Sequence, residues 1–207
     1  MAVTLGQLTA RILRETSRDS SFEPAVNDAI VTAIKELERE QFWLFETNTQ
    51  LLLLSGNNSV ALPTDFAESI VVRLIVNDIY MTEDSGFTPV TNYEIFGLTR
   101  QYVQGVPYMW AIYGNSIYVY PWADADYVVD LFYFQKDSVY PVNYTDTSLW
   151  LGDLTADLTR YKALTTFYRD SLQAEEKALY YENKANDIIT NLRIRNNQRQ
   201  TINRLSI

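Results

Sequence analysis

Apolar residues recur at helical spacing at both ends of the chain and in strand-like runs through its middle. Near the start, Leu5, Leu8 and Ile12 keep one helical face, and Thr4 with Gln7 three residues on has a capping-box pattern. Ser17 to Ser21 reads as a loop, and Pro24 suits the first turn of a second helix. There Val26, Ile30, Ala33, Ile34 and Leu37 form one apolar stripe opposite Glu36, Arg39 and Glu40, predicting helix to about Gln41. After Gly152 the helical period returns. Leu158, Tyr161, Leu164, Tyr168 and Leu172 share one face, and Ala178, Tyr181, Ala185, Ile188 and Leu192 share another. The offset between the two sets predicts a break near Ser171 to Ala174.

Between these ends the pattern predicts short strands. Thr49 to Leu54 precedes the turn cluster Gly56-Asn57-Asn58-Ser59. Ile70 to Val76, Asn77-Asp78 and Ile79 to Met81 read as a hairpin, and Asn92 to Tyr102 as a short helix or an irregular excursion. Tyr108 to Tyr113, Gly114-Asn115 and Ser116 to Tyr120 give the clearest hairpin, followed by a strand over Tyr127 to Phe134. Glycine and proline mark the same division. Six of the seven glycines and five of the six prolines fall between Gly56 and Gly152, and none follows. The expected fold is α+β. An N-terminal helix pair (1–46) and long C-terminal helices (153–193) form a bundle, and an antiparallel β-sandwich-like domain (47–152) is inserted between them.

Composition narrows the chemistry. The 207 residues include no cysteine and no histidine, which removes thiolate metal sites, thiol nucleophiles and Ser-His-Asp catalysis. At 47% hydrophobic and 14% aromatic, the chain has material for a sizeable core. The longest apolar run, Tyr108 to Tyr113, is too short to cross a membrane, and the start lacks a secretory-signal pattern. Asp124, Asp126 and Asp130 invite a metal reading, but the glycine and terminal glutamate of an EF-hand loop are missing. Turn-forming acids after Pro121-Trp122 are the simpler account. A carboxylate pair of the glycosidase kind cannot be picked out among 26 acids, and no phosphate loop or nucleophile elbow occurs. No catalytic constellation, metal site or cofactor is expected.

Two surfaces remain as candidates for binding. Tyr108, Trp110, Tyr118, Tyr120 and Trp122 crowd the clearest hairpin, with Tyr113 beside them. Strand alternation buries some of these in a core, and the rest suit a subunit or tail interface, or stacking on a glycan. Acid nearby disfavours nucleic acid. The second surface is the C-terminus. The last twenty residues hold Arg193, Arg195, Arg199 and Arg204 and no acid, so the net charge of −9 is −13 on the other 187 residues. Arginine interleaved with Ile194, Ile202, Leu205 and Ile207 suits docking into a protein groove, where guanidinium forks meet carboxylates and aliphatics fill pockets. A solvated, frayed terminus and a nucleic-acid arm are the other readings. The segment 194–207 is accordingly expected as an extended docking tail.

The order of these features resembles the head-to-tail adaptor proteins of tailed bacteriophages, the head-completion and tail tubular connectors. The resemblance covers nearly the whole length. It rests on Glu38-Arg39-Glu40-Gln41-Phe42-Trp43, Ala61-Leu62-Pro63-Thr64-Asp65-Phe66, Pro107 to Asn115, Ile117 to Pro121, Leu158-Thr159-Arg160-Tyr161-Lys162-Ala163 and the Arg/Asn-rich end. It implies a structural virion protein of the neck, made in the host cytoplasm and without enzymatic activity. Twelve copies would form a homo-oligomeric ring beneath the portal protein, with the C-terminal tail clasping the portal. The β part would meet a nozzle or tail-tube protein, and genomic DNA would pass through the centre without specific binding. A soluble β-module that binds glycan is the alternative.

Overall fold

The computed structural model describes residues 3–40, 42–137, 139–153 and 155–205, without the side chains of Trp43 and 199–205. In chain order the elements are α1 (Leu5–Thr16), α2 (Glu23–Leu37), β1 (Glu46–Leu53), β2 (Ser59–Ala61), β3 (Phe66–Val76), β4 (Ile79–Met81) and β5 (Thr88–Pro89). Then come α3 (Asn92–Thr99), β6 (Gln104–Gly105), β7 (Met109–Tyr113), β8 (Ser116–Tyr120), β9 (Trp122–Ala123), β10 (Tyr127–Gln135), α4 (Ala156–Thr166) and α5 (Glu175–Leu205). The chain divides into a helical unit, residues 1–45 with 136–207, and a β unit, residues 46–135.

In the helical unit the capping box forms as its spacing predicts. Thr4 Oγ1 accepts from the Gln7 N–H, and Gln7 Oε1 accepts from the Thr4 N–H. The apolar stripes of α1 and α2 meet those of α4 and α5 in one core that includes Leu8, Ile12, Ile30, Ile34, Leu164, Ala185 and Leu192. Gly6 lets the chain pass closely: its N–H donates to the Tyr144 carbonyl, and a Cβ there would lie 2.9 Å from Tyr144 Cβ. The break after α4 takes the form of a π-helical turn, Phe167–Ser171, with Gln173 at φ 50° before α5 begins.

Three expectations are corrected in this unit. The β-rich stretch ends at Gln135, and residues 136–152 belong with the helices. Glu38 at the end of α2 accepts from the Asp137 N–H and the Tyr140 hydroxyl, and Trp150 and Leu151 are buried in the helical core. Glycine and proline density misplaced that boundary, because an irregular segment can serve a helical core as readily as a sheet. The second correction concerns the tail. Residues 194–205, expected to be extended, continue α5 as helix. Nothing in Glu175–Leu205 is a glycine or proline that would stop it. Helix α2 also stops at Leu37, short of the expected end; Gln41 and Ile207 lie outside the described residues.

In the β unit, two four-stranded sheets share a core. Their orders are β1-β10-β3-β4 and β2-β8-β7-β5. Leu53, Val72, Leu74, Val129 and Leu131 from the first meet Ile117 and Val119 from the second. The expected hairpins form: Asn77 and Asp78 turn β3 into β4 with φ of 50° and 65°, and Gly114 at φ 58° opens the β7–β8 turn. The expected antiparallel pattern holds for the long strands. Two short pairs depart from it, since β5 runs parallel to β7 and β6 parallel to β9. Strand β10 does not extend the β7–β8 hairpin but lies in the other sheet, between β1 and β3.

Candidate docking surfaces

The aromatic residues of the β7–β8 region divide by what their bodies and polar tips do. Tyr120 is buried in a small core with Ile95 and Ala111. Trp110 donates its indole N–H to the Phe87 carbonyl, and Trp122 donates to that of Thr99, so both half-buried rings are committed to packing. Tyr118 packs edge-on against Phe96. Of the five residues singled out, Tyr108 is the one left well exposed, at 43%. The residues that do reach solvent on this side are others: Tyr93 on α3 at 90%, with Tyr102, Val103, Val106 and Tyr113. A shallow groove beside Tyr93 is floored by Val90, Leu98 and Met109 and opened by Gly97, which has no Cβ. Tyr93 belongs to Asn92–Tyr102, whose apolar spacing fits neither helix nor strand cleanly, so no pattern announces its exposure.

The acids once eligible for a metal have separate duties. Asp124 accepts from the Tyr127 hydroxyl at 2.6 Å, and Asp126 accepts from the Ser55 N–H at 2.8 Å. Asp130 is buried within β10, in register with Arg73 of β3 and Gln50 of β1. Among the described residues no three acids gather around a point that would hold an ion.

The C-terminal surface grows out of the helical core. Helix α5 packs through Ala178, Ala185, Ile189 and Leu192, the last of its buried apolar residues among those described. The next residue, Arg193, forks onto Glu40: Nε donates to Oε2 at 3.1 Å, and Nη2 reaches Oε1 at 2.6 Å. This pair holds the helix where it leaves the core. Beyond it Ile194 is 49% exposed, and Arg195, Asn197 and Gln198 face solvent. At about 100° per residue, the positions of Ile194 and Leu205 fall roughly 170° around the axis from the buried stripe, and that of Ile202 roughly 110°. The arginine positions 195 and 199 border them on one side, and 193 and 204 on the other. Ile194, exposed between Arg193 and Arg195 on the side away from the buried stripe, is suited to another chain. Ion pairing within the core is arranged differently. Arg160 is buried and reaches Glu15 at 2.6 Å and Asp157 at 3.1 Å, and the Tyr181 hydroxyl donates to the same Glu15. Burial first, and then Glu15, push the Tyr181 hydroxyl above its ordinary range.

Comparison with known proteins gives one finding. The family model described as SU10 adaptor protein matches residues 3–206. No curated protein matches the chain. No helix among the described residues is long and apolar enough to cross a membrane.

Proposed function

The chain belongs to the SU10 adaptor protein family, a phage head-to-tail adaptor family, and from that premise we propose that it joins the portal to the tail as a twelve-membered ring. Membership over nearly the full length is the observation that carries the reading. As a member it is a structural component of the virion; the ring, its partners and its channel are the proposal. The C-terminal end of α5 docks on the portal, with Arg193, Arg195, Arg199 and Arg204 meeting carboxylates and Ile194, Ile202, Leu205 and Ile207 filling pockets. Tyr108, with the exposed aromatics around α3, faces a neighbouring subunit or the tail-side nozzle or tube protein.

Charge supports the division of labour. The acidic body presents a wall that gains nothing from neutralising phosphates, so DNA crosses the ring without being held. The cationic helix end faces away from that channel. A glycan-binding role is not carried forward, because Trp110, Tyr120 and Trp122 are spent on packing rather than on an open stacking platform. Deleting Gln198 to Ile207 tests the docking end. The truncated protein keeps its melting temperature and loses only the ellipticity of the helical residues 198–205, while capsids recover less than a tenth of the full-length amount. Unchanged retention on capsids would remove the docking role.

A further inference from the structure

The two flanks of the β1-β10-β3-β4 sheet are treated unequally. On one flank, β4 covers only Leu74–Val76 of β3, and the rest of β3 is irregular. Its register against β10 shifts twice, skipping Ile70 and Ala67. Short strands and bulges are the devices by which sheets discourage further pairing. On the other flank, β1 runs eight residues against β10 without a register shift. It contains no proline and no lysine or arginine. Alternate residues of an antiparallel strand turn their N–H and C=O groups away from the partner. Among the described residues, Glu46–Leu53 make no backbone bond outside the β10 ladder. Glu46, Asn48 and Gln50 are exposed along this strand, Leu52 is 59% exposed, and Leu54 just beyond is 47% exposed.

We propose that β1 accepts an extended strand from a different protein, completing the sheet by strand addition. The strand it fits is apolar where it meets Leu52 and Leu54, uncharged along Asn48 and Gln50, and cationic where it meets Glu46. A second copy of this chain fits poorly in either arrangement. Two β1 strands paired antiparallel about a two-fold place Leu52 opposite Thr47 and Leu53 opposite Glu46, and a two-fold contact does not propagate around a cyclic ring. A head-to-tail contact would have to use the bulged β3–β4 flank or the edges of the other sheet, β2 and β5, which are three and two residues long and too short to match eight residues of β1. The proposal rests on the connector reading, since assembly is what brings another chain to this edge.

Deuterium exchange of the full-length protein, alone and in assembled particles, tests it. In the isolated protein, the amides of Glu46–Leu53 divide into a slow set bonded to β10 and a fast set. In particles the fast set slows at least tenfold. A fast set that stays fast in particles containing the chain overturns the proposal. Because the chain has no cysteine, Asn48→Cys carrying a benzophenone reports what lies on the edge. Together with amide protection, an adduct whose added mass is that of another virion chain supports the proposal. Adducts at multiples of 23.9 kDa assign the edge to a second copy and overturn it. Gln50→Lys, which leaves melting unchanged, abolishes the protection, and Gln50→Thr retains it. Absence of the chain from particles would instead overturn the connector reading, and the proposal with it.

Discussion

The helical unit closes its surface and the β unit leaves its surface open. Among the described residues, eleven well-exposed large hydrophobics, including Leu52, Ile79, Tyr93, Tyr102 and Tyr113, lie within residues 46–135, against six in the longer helical unit. In the helical unit long side chains are tied down: Arg160 to Glu15 and Asp157, Arg169 to Glu182, Arg193 to Glu40. Exposed apolar groups scattered singly mean little, but a concentration in one unit marks surface intended to be covered. The comparison separates two tasks. One unit is a scaffold that secures a projecting helix, and the other offers a sheet edge and an aromatic side to neighbours.

The largest expected effects come from breaking each core separately. Trp150 is fully enclosed in the helical unit, edge-on to Phe42 and tilted over Phe45 at 4.6 Å between centroids. Trp150→Ala is expected to cost about 3–5 kcal/mol there through lost burial and the cavity left behind. Leu131→Ala, at a fully buried position of β10, is expected to cost about 2–5 kcal/mol in the β unit. Ellipticity at 222 nm, to which the helical unit contributes most, and deuterium exchange of the β10 amides, both followed with rising temperature, report the two units apart. Trp150→Ala lowers the helical transition first, and Leu131→Ala the opening of β10. Coincident shifts in both variants would mean that the two units melt as one body.

Much of this organisation was legible in the residues. Helical periodicity, the Thr4–Gln7 box, Pro24 and the Asn77-Asp78 and Gly114-Asn115 turns act locally, and a local pattern declares itself. The boundary at Gln135 did not, because Trp150 and Leu151 announce burial without saying in which core. Nor did the place of β10, since pairing between strands far apart in sequence leaves no trace in either strand alone. The site was legible in part. Charge segregation points to the C-terminal end, but a docking role does not reveal its helical form, which follows from the lack of glycine and proline in Glu175–Leu205. Aromatic content pointed to the β7–β8 hairpin, yet alternation alone could not say that Trp110 and Trp122 had carbonyl partners to spend their N–H groups on.

High pH offers a finer probe of the same contrast. In the β unit, burial and then a hydrogen bond to Asp65 push the Tyr133 hydroxyl up to about 12, and burial and then Asp124 do the same for Tyr127. The folded unit therefore binds more protons than the unfolded chain between pH 10 and 12. That stability is fully present below the unfolded value and is lost as pH rises through the folded one. Tyr133→Phe removes the hydroxyl and its share of this dependence. Denaturant titrations at pH 8 and pH 11 are expected to show a smaller drop in the variant than in the parent. An equal drop would shift the alkaline sensitivity to Tyr127 and to Tyr140, which the Glu38 hydrogen bond and burial hold near 12 in the helical unit.

The smallest effect on stability should accompany one of the larger effects on assembly. Arg193 is mostly exposed, and an exposed pair with Glu40 contributes no more than about 1 kcal/mol, because water screens the charges and two long side chains must be ordered. Arg193→Ala is therefore expected to melt within a few degrees of the parent. The pair sits, however, just after Leu192, the last described buried residue of α5, so it sets the direction of the segment that follows. Releasing it lets the helix end sample more orientations, and docking must then restrict them again. Arg193→Ala should retain less protein on capsids despite an unchanged melt, and Arg193→Lys should recover only part of it, since an ammonium lacks the fork that grips both Glu40 oxygens. Glu40→Gln separates orientation from direct contact: it weakens the anchor but leaves the arginine free to reach a partner. A loss on capsids matching that of Arg193→Ala assigns the effect to orientation, and full retention assigns it to contact by Arg193 itself.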